Sequence, residues 1–292
     1  FEFGTNLLSV LQKLWIKDGT IKKLPFAWTK GKHFPPISNR KIDYPKPRNT
    51  GETIYFFQGC LAKSFFPELK EAVLSSLSFY GYRVFIPEEQ TCCGAPSLHL
   101  GQTKDVQALF RKNWESFKRE DPDYILTICP TGTAMLTKTY PKLDPAFSPW
   151  IEKIYSFSDF LVKKGLLQES ENIKGKKEVF FHHPCHNLYD LKIKNQPLSV
   201  LRSSGFNPIE EDEPFSCCGF CGVFSMKNPD ISSRMWEKKK DKILESQTQT
   251  IASDCPGCVL QLRASLKDEP RAYDIKHTAE FLAEAVTREK NS

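Results

Sequence analysis

Long apolar runs are missing from this sequence. No stretch of 18 or more apolar residues occurs, and the N-terminal residues show no charged-then-apolar pattern closing on a small-residue cleavage site. Neither a membrane-spanning helix nor a secretory signal is legible, so the expected address is cytoplasmic. Phosphate-cradling glycine loops are missing too, because Gly94 and Gly219 sit in cysteine-bearing loops, and no nucleophile triad is visible. These absences turn attention away from nucleotide-binding and hydrolytic classes. Acidic charge is scarce in residues 1–50, which hold ten Lys or Arg against Glu2, Asp18 and Asp43. That segment also carries Pro25, Pro35, Pro36, Pro45 and Pro47 between apolar residues, so it is read as a basic linker or docking tail and not as a nucleic-acid-binding face.

What is present is cysteine, ten residues of it in a chain of 292. That is too many for ordinary packing and too clustered for a disulfide scaffold of this length. Adjacent thiols such as Cys92-Cys93 and Cys217-Cys218 rarely bridge each other and more readily face one inorganic centre. The cysteines also repeat: Cys60, Cys92, Cys93 and Cys129 recur as Cys185, Cys217, Cys218 and Cys255, at offsets of 125, 125, 125 and 126. Their surroundings agree, with Thr91-Cys92-Cys93-Gly94 answering Ser216-Cys217-Cys218-Gly219 and Cys129-Pro130 answering Cys255-Pro256.

Between the cysteines the pattern alternates. Short β-branched and aromatic runs at residues 53–57, 82–86 and 124–128, then at 179–182, 207–209 and 250–252, predict strands. Helical spacing of apolar residues predicts helices near 67–79, 105–119, 156–164, 197–204, 231–245 and 257–266. The expectation is an α/β chain of two pseudo-repeated units, each a mostly parallel sheet flanked by helices, with the cysteines at the carboxyl ends of strands. The expected division is a tail over 1–50, a first unit over 51–143, a connection over 144–178 and a second unit over 179–292.

In the second unit Cys185, Cys217, Cys218, Cys255 and Cys258 offer five thiols from three loops, and the Cys255-Pro256-Gly257-Cys258 turn brings two of them to one centre. Tetrahedral zinc takes four ligands, commonly from two such knuckles, so the set overfills zinc and suits an iron-sulfur cluster. Cys221 stands nearby as a further ligand, a redox-active neighbour or a small buried residue; the last is favoured because Pro96 occupies its counterpart position. In the first unit Gly132 replaces the fifth thiol, which leaves Cys60, Cys92, Cys93 and Cys129 as either a second cluster site or a vestigial pocket. His182, His183 and His186 flank Cys185 and are read first as structural, with His186 as a ligand or tuning group; His99 is a candidate proton donor after the first doublet.

A cysteine, 31 residues, Cys-Cys-Gly, about 35 residues, then Cys-x-x-Cys resembles the cysteine-rich CCG domain. The resemblance rests on residues 87–96, on Cys217-Cys218-Gly219-Phe220 and on Asp254-Cys255-Pro256-Gly257-Cys258, and covers roughly 50–285. This domain occurs in tandem in heterodisulfide reductase, and in iron-sulfur subunits of glycolate oxidase, lactate utilisation and anaerobic glycerol-3-phosphate dehydrogenase. The resemblance implies a [4Fe-4S] cluster at the five-cysteine set, of the non-cubane kind that cleaves disulfides. It implies an electron-transfer subunit of a multi-subunit oxidoreductase, with a flavin-bearing dehydrogenase subunit or a ferredoxin-type iron-sulfur subunit as partner. Peripheral association with a quinone-reducing complex at the inner face of a membrane is implied as well. Gly132 departs from a two-cluster, disulfide-cleaving arrangement. Several such subunits carry a ferredoxin-like domain ahead of the tandem units; with no cysteine before Cys60, that part is expected on another chain or ahead of Phe1.

Overall fold

The computed structural model describes residues 16–17, 20–21, 51–168, 176–212 and 216–291. Of the basic segment, only Ile16–Lys17 and Thr20–Ile21 are described, as a short antiparallel pair. Its expected role as a tail or linker lies outside the described residues.

The first sheet contains β1 (Thr53–Phe57), β2 (Arg83–Phe85), β3 (Tyr124–Thr127) and β4 (Ile154–Ser156) in the order β2-β1-β3-β4, all parallel. The second contains β5 (Lys177–His182), β6 (Phe206–Glu210), β7 (Thr250–Ser253) and β8 (Asp274–His277) in the order β6-β5-β7-β8, again all parallel. The two sheets therefore have the same topology, as the repeated cysteines lead one to expect. Parallel strands require crossovers, and helices supply them. These are α1 (Gly59–Phe65), α2 (Pro67–Phe79), α3 (Ala95–His99) and α4 (Thr103–Glu120) in the first unit, with α5 (Pro130–Ala134), α6 (Tyr140–Leu143) and α7 (Phe157–Lys163) following. In the second they are α8 (Gln196–Ser203), α9 (Val223–Lys227), α10 (Pro229–Glu245), α11 (Pro256–Leu266) and α12 (Thr278–Asn291).

Two strands are not legible in the sequence. β4 lies inside the segment read as a connection, yet it pairs with β3, and the helix expected near 156–164 is α7, which follows it. Its side-chain pattern, Ile154-Tyr155-Ser156, is too short to show a period. β8 and α12 play the same part in the second unit.

Alternating β1 residues separate two cores, as the pleat demands. Tyr55 and Phe57 face an aromatic cluster with Phe110, Phe117, Tyr140 and Phe147. Ile54 and Phe56 face a second cluster that also takes Phe180, Val200, Trp236, Ile251 and Leu260 from the other unit. The shared core fixes the units against each other, and Arg263 of α11, 2.9 Å from Glu68 of α2, bridges the same boundary.

Candidate metal centre

The repeated cysteines all fall shortly after a strand end, and Cys258 follows Cys255 into the first turn of α11. Cys60 and Cys185 follow β1 and β5, the doublets follow β2 and β6, and Cys129 and Cys255 follow β3 and β7. At the last pair the cysteine is extended and proline opens the next helix, the position where its missing N–H costs nothing. After each doublet the chain must reverse. Gly94 (φ 90°) and Gly219 (φ 83°) supply the left-handed backbone for it. A Cβ on Gly219 would lie 2.5 Å from the Ser232 carbonyl oxygen, so no larger residue fits there.

Because parallel strands present their carboxyl ends together, each unit gathers its thiols at one edge, and the two edges face each other across one cavity. The cavity has a volume of about 660 Å³ and is bordered by every cysteine except Cys92. The five thiols expected as a set converge: the Cys218 and Cys258 sulfurs are 3.3 Å apart, and Cys217 accepts hydrogen bonds from Cys185, Cys218 and Cys221. The first set converges on Cys92, which accepts from Cys60 and Cys93. Cys129 departs from its own set by hydrogen-bonding to Cys255, so the two units touch thiol to thiol. Leu61 approaches Gly257, and His186 approaches Thr131 at 3.4 Å; the two contacts are counterparts on either side of that pair.

The electrostatics single out three thiolates. Hydrogen bonds from Cys60 and Cys93 bring Cys92 down to about 3. Those from Cys185, Cys218 and Cys221 hold Cys217 far below the usual thiol range, helped by the Gly219 N–H at 3.4 Å. Cys255 is lowered by Cys129 and Cys258 and by the N–H groups of Gly257 and Cys258 at the start of α11. Thiolate is the form that binds metal. Their neighbours Cys60, Cys93, Cys129 and Cys185 are pushed up, chiefly because they donate to those thiolates and are buried. Cys258 is pushed up by its hydrogen bonds with Cys218 and then Cys255 and by burial.

Cys221 is not the small buried residue expected. It is exposed, adopts a left-handed φ of 44° and lies 3.8 Å from Cys217, because the chain leaves the doublet outward before α9. His99 borders the cavity on the first unit's side. The Nδ1 of His186 is 3.6 Å from the Cys185 sulfur. His183 turns away to Glu210, 2.7 Å from Nε2, and burial lowers its pKa. His277 serves structure, holding the Ile128 carbonyl at 3.0 Å and so fixing the residue before Cys129.

His182 is expected to be structural, yet neither of its ring nitrogens has a hydrogen-bond partner, and the side chain is 1% exposed. A ring nitrogen of His182 and the sulfurs of Cys218 and Cys258 all lie within 4.8 Å of one another. Burial holds this imidazole neutral, with its pKa well below the ordinary range.

Three further sets of residues hold the loops. Asp254 accepts from Ser158, Asn187 (3.0 Å) and Thr278, tying the residue before Cys255 to both units. Glu211 accepts from the N–H and hydroxyl of Ser216, at 3.0 and 2.8 Å, and pairs with the fully buried Lys239. In the first unit the neutral Asn113 and Tyr140 do this work: Asn113 accepts from Thr91 N–H at 2.8 Å and donates to the Cys92 carbonyl at 3.1 Å, and the Tyr140 hydroxyl donates to the Cys93 carbonyl.

A family model for the cysteine-rich domain CCG matches residues 54–137 and again 179–263. Lactate utilization protein A of an Exiguobacterium species is 29% identical over 243 residues, which cover 80% of this chain and 98% of that protein. Lactate utilization protein A 2 of Bacillus cereus is 29% identical over 245 residues, covering 80% and 99%. A fumarate reductase (CoM/CoB) subunit of Methanothermobacter marburgensis is 30% identical over 226 residues, 76% of this chain, and the chain spans only 44% of that longer relative. A solved glutamate racemase from Francisella tularensis superposes with a TM-score of 0.32 at 9% identity, covering 82% of this chain and 80% of that one, too loose a match to bear on the fold.

Proposed function

The chain belongs to the cysteine-rich CCG domain family, and on that premise we propose that it is the iron-sulfur electron-transfer subunit of a multi-subunit oxidoreductase. Its relatives by sequence are named for lactate utilization and fumarate reduction, so a redox subunit is the shared denominator. The observation that carries the reading is the donor set. Cys185, Cys217, Cys218, Cys255 and Cys258 reach one cavity, with Cys217 and Cys255 held below the ordinary thiol range by hydrogen bonds from their neighbours, and they offer more sulfur than one tetrahedral zinc can use.

These five would hold a [4Fe-4S] cluster, of the non-cubane kind, which supplies a one-electron store at the cavity wall when bound. The protein's own contribution is to fix the ligands. Gly219 turns the doublet, Asp254 and the proline-opened α11 set Cys255 and Cys258, and Glu211 anchors Ser216 ahead of Cys217. Cys60, Cys92, Cys93 and Cys129 form the facing wall, with Gly132 where a fifth ligand would stand. Electrons would come from a flavin-bearing subunit or a ferredoxin-type iron-sulfur subunit and pass to a quinone, a disulfide or another carrier. Among the described residues no helix is long and apolar enough to cross a membrane, so contact with a quinone-reducing complex would be peripheral.

Iron, acid-labile sulfide and zinc content, with electron paramagnetic resonance on anaerobic protein and on Cys258→Ser, tests this. The expected result is iron and sulfide in equal amounts with a redox-dependent spectrum that the substitution removes; zinc without iron would make the chain a zinc-stabilised interaction module. A catalytic reading, reduction of a disulfide or related thiol substrate in the cavity, is favoured by its size and by the second wall of thiols. It requires turnover of a disulfide by the purified chain with a chemical electron donor.

A further inference from the structure

We propose that His182 is a ligand of the same centre, giving one imidazole nitrogen on the side of Cys218 and Cys258; the inference rests on the cluster reading above. The first ground is an imbalance. A buried polar group without a partner is destabilising, and His182 buries two ring nitrogens with none. Of the three histidines around Cys185, His183 has Glu210 and His186 has Thr131, Asp190 and the Cys185 sulfur, so among these His182 is the one whose ring nitrogens have no hydrogen-bond partner.

The second ground is distance. Metal–sulfur bonds of about 2.3 Å and metal–nitrogen bonds of about 2.1 Å keep two ligand atoms on one metal within about 4.5 Å of each other. A His182 nitrogen and the sulfurs of Cys218 and Cys258 fall within 4.8 Å as they stand, all three residues buried. A small inward shift of the side chains suffices to bring them onto one iron.

The third ground is the internal comparison. By the offset of 125, His182 corresponds to Phe57, and by the offset of 126, Cys258 corresponds to Gly132. The first unit fills the strand-end position with a phenyl ring that packs on Phe117 at 6.0 Å, so the fold does not need an imidazole there. Histidine and the fifth thiol are present together in one unit and replaced together in the other, although one ends β5 and the other lies in the first turn of α11. Two residues that meet only at the centre, and change together, have the centre as their shared task.

The experiment uses the full chain, purified without oxygen, with histidine labelled with ¹⁵N. In whichever redox state is paramagnetic, electron spin echo modulation should show a directly coordinated histidine nitrogen that changes from ¹⁴N to ¹⁵N pattern on labelling. His182→Phe, which copies the first unit's choice at this position, should lose that coupling and bind less iron. His182→Cys, which offers a thiolate instead, should recover iron without the nitrogen coupling. Iron and sulfide at full level with no coordinated histidine nitrogen would overturn the assignment and leave the cluster reading intact. So would a coupling that survives in His182→Phe, because it would belong to another histidine such as His186. Absence of iron and sulfide from the unsubstituted protein would sink the cluster reading itself.

Discussion

The two units share a strand order, a crossover scheme and a Cys-Cys-Gly turn, and they part company at two positions around the cysteines. In the first, Phe57 and Gly132 sit where the second has His182 and Cys258. The doublets also differ in what holds them. Neutral hydrogen bonds from Asn113 and Tyr140 fix Cys92-Cys93, whereas the buried pair Glu211–Lys239 fixes the approach to Cys217-Cys218. Duplication of a scaffold does not duplicate its side chains: sheet topology survives an exchange at a strand end, because strands are held by ladders and core packing, while the proposed centre would depend on a few side chains there. What the first unit retains is shape, a wall of thiols facing the second unit across one cavity.

The strongest way to break the comparison is to equalise the units. Gly132 has room, since the nearest atom to a Cβ there is the Cys129 Cβ at 3.7 Å. Phe57→His with Gly132→Cys should therefore create a second centre and roughly double the iron per chain, read by elemental analysis. Removing the charge beside the second doublet comes next. Lys239→Met leaves Glu211 buried and unpaired and should cost about 3–5 kcal/mol; the reduction potential of the centre should fall, because a nearby cation favours the reduced, more negative form. Asn113→Leu in the first unit should cost about 2 kcal/mol and leave the potential where it was; denaturation curves and redox titration read both.

The smallest contrast lies in the turns. Gly219→Ala meets the Ser232 carbonyl at 2.5 Å and a positive φ, and should cost about 3 kcal/mol. Its counterpart Gly94→Ala has nothing nearer than 3.6 Å and should cost about 1 kcal/mol, the left-handed backbone alone. Chemical denaturation compares them directly.

The repeat offset makes the fold legible, because a cysteine that follows a strand marks the strand's end, and six of the eight strands of the two sheets follow from the runs before the thiols. β4 and β8 escape because, unlike β2, β3 and β7, which are as short, they deliver no cysteine to mark their ends. The five-thiol set is readable from spacing. That the two sets open on one cavity is not, since spacing within a unit says nothing of how two units turn toward each other; the Cys129–Cys255 contact is a product of the shared core. His182 escapes for a related reason: a histidine at a strand end looks structural until the lack of any hydrogen-bond partner is seen. Its one sequence signal lies in the comparison of the two copies, as the joint exchange with Phe57. Lys239 lies within a run of charged residues on α10 and looks solvated, yet it is fully buried against Glu211.

The matched pair Cys185→Ser and Cys60→Ser tests the asymmetry most directly, because the two residues are counterparts after β5 and β1. With iron and acid-labile sulfide counted per chain on anaerobic protein, Cys185→Ser should lose the centre, and Cys60→Ser should keep about four irons. Equal partial losses from the two substitutions would mean that each unit holds a centre of its own, and would contradict the account.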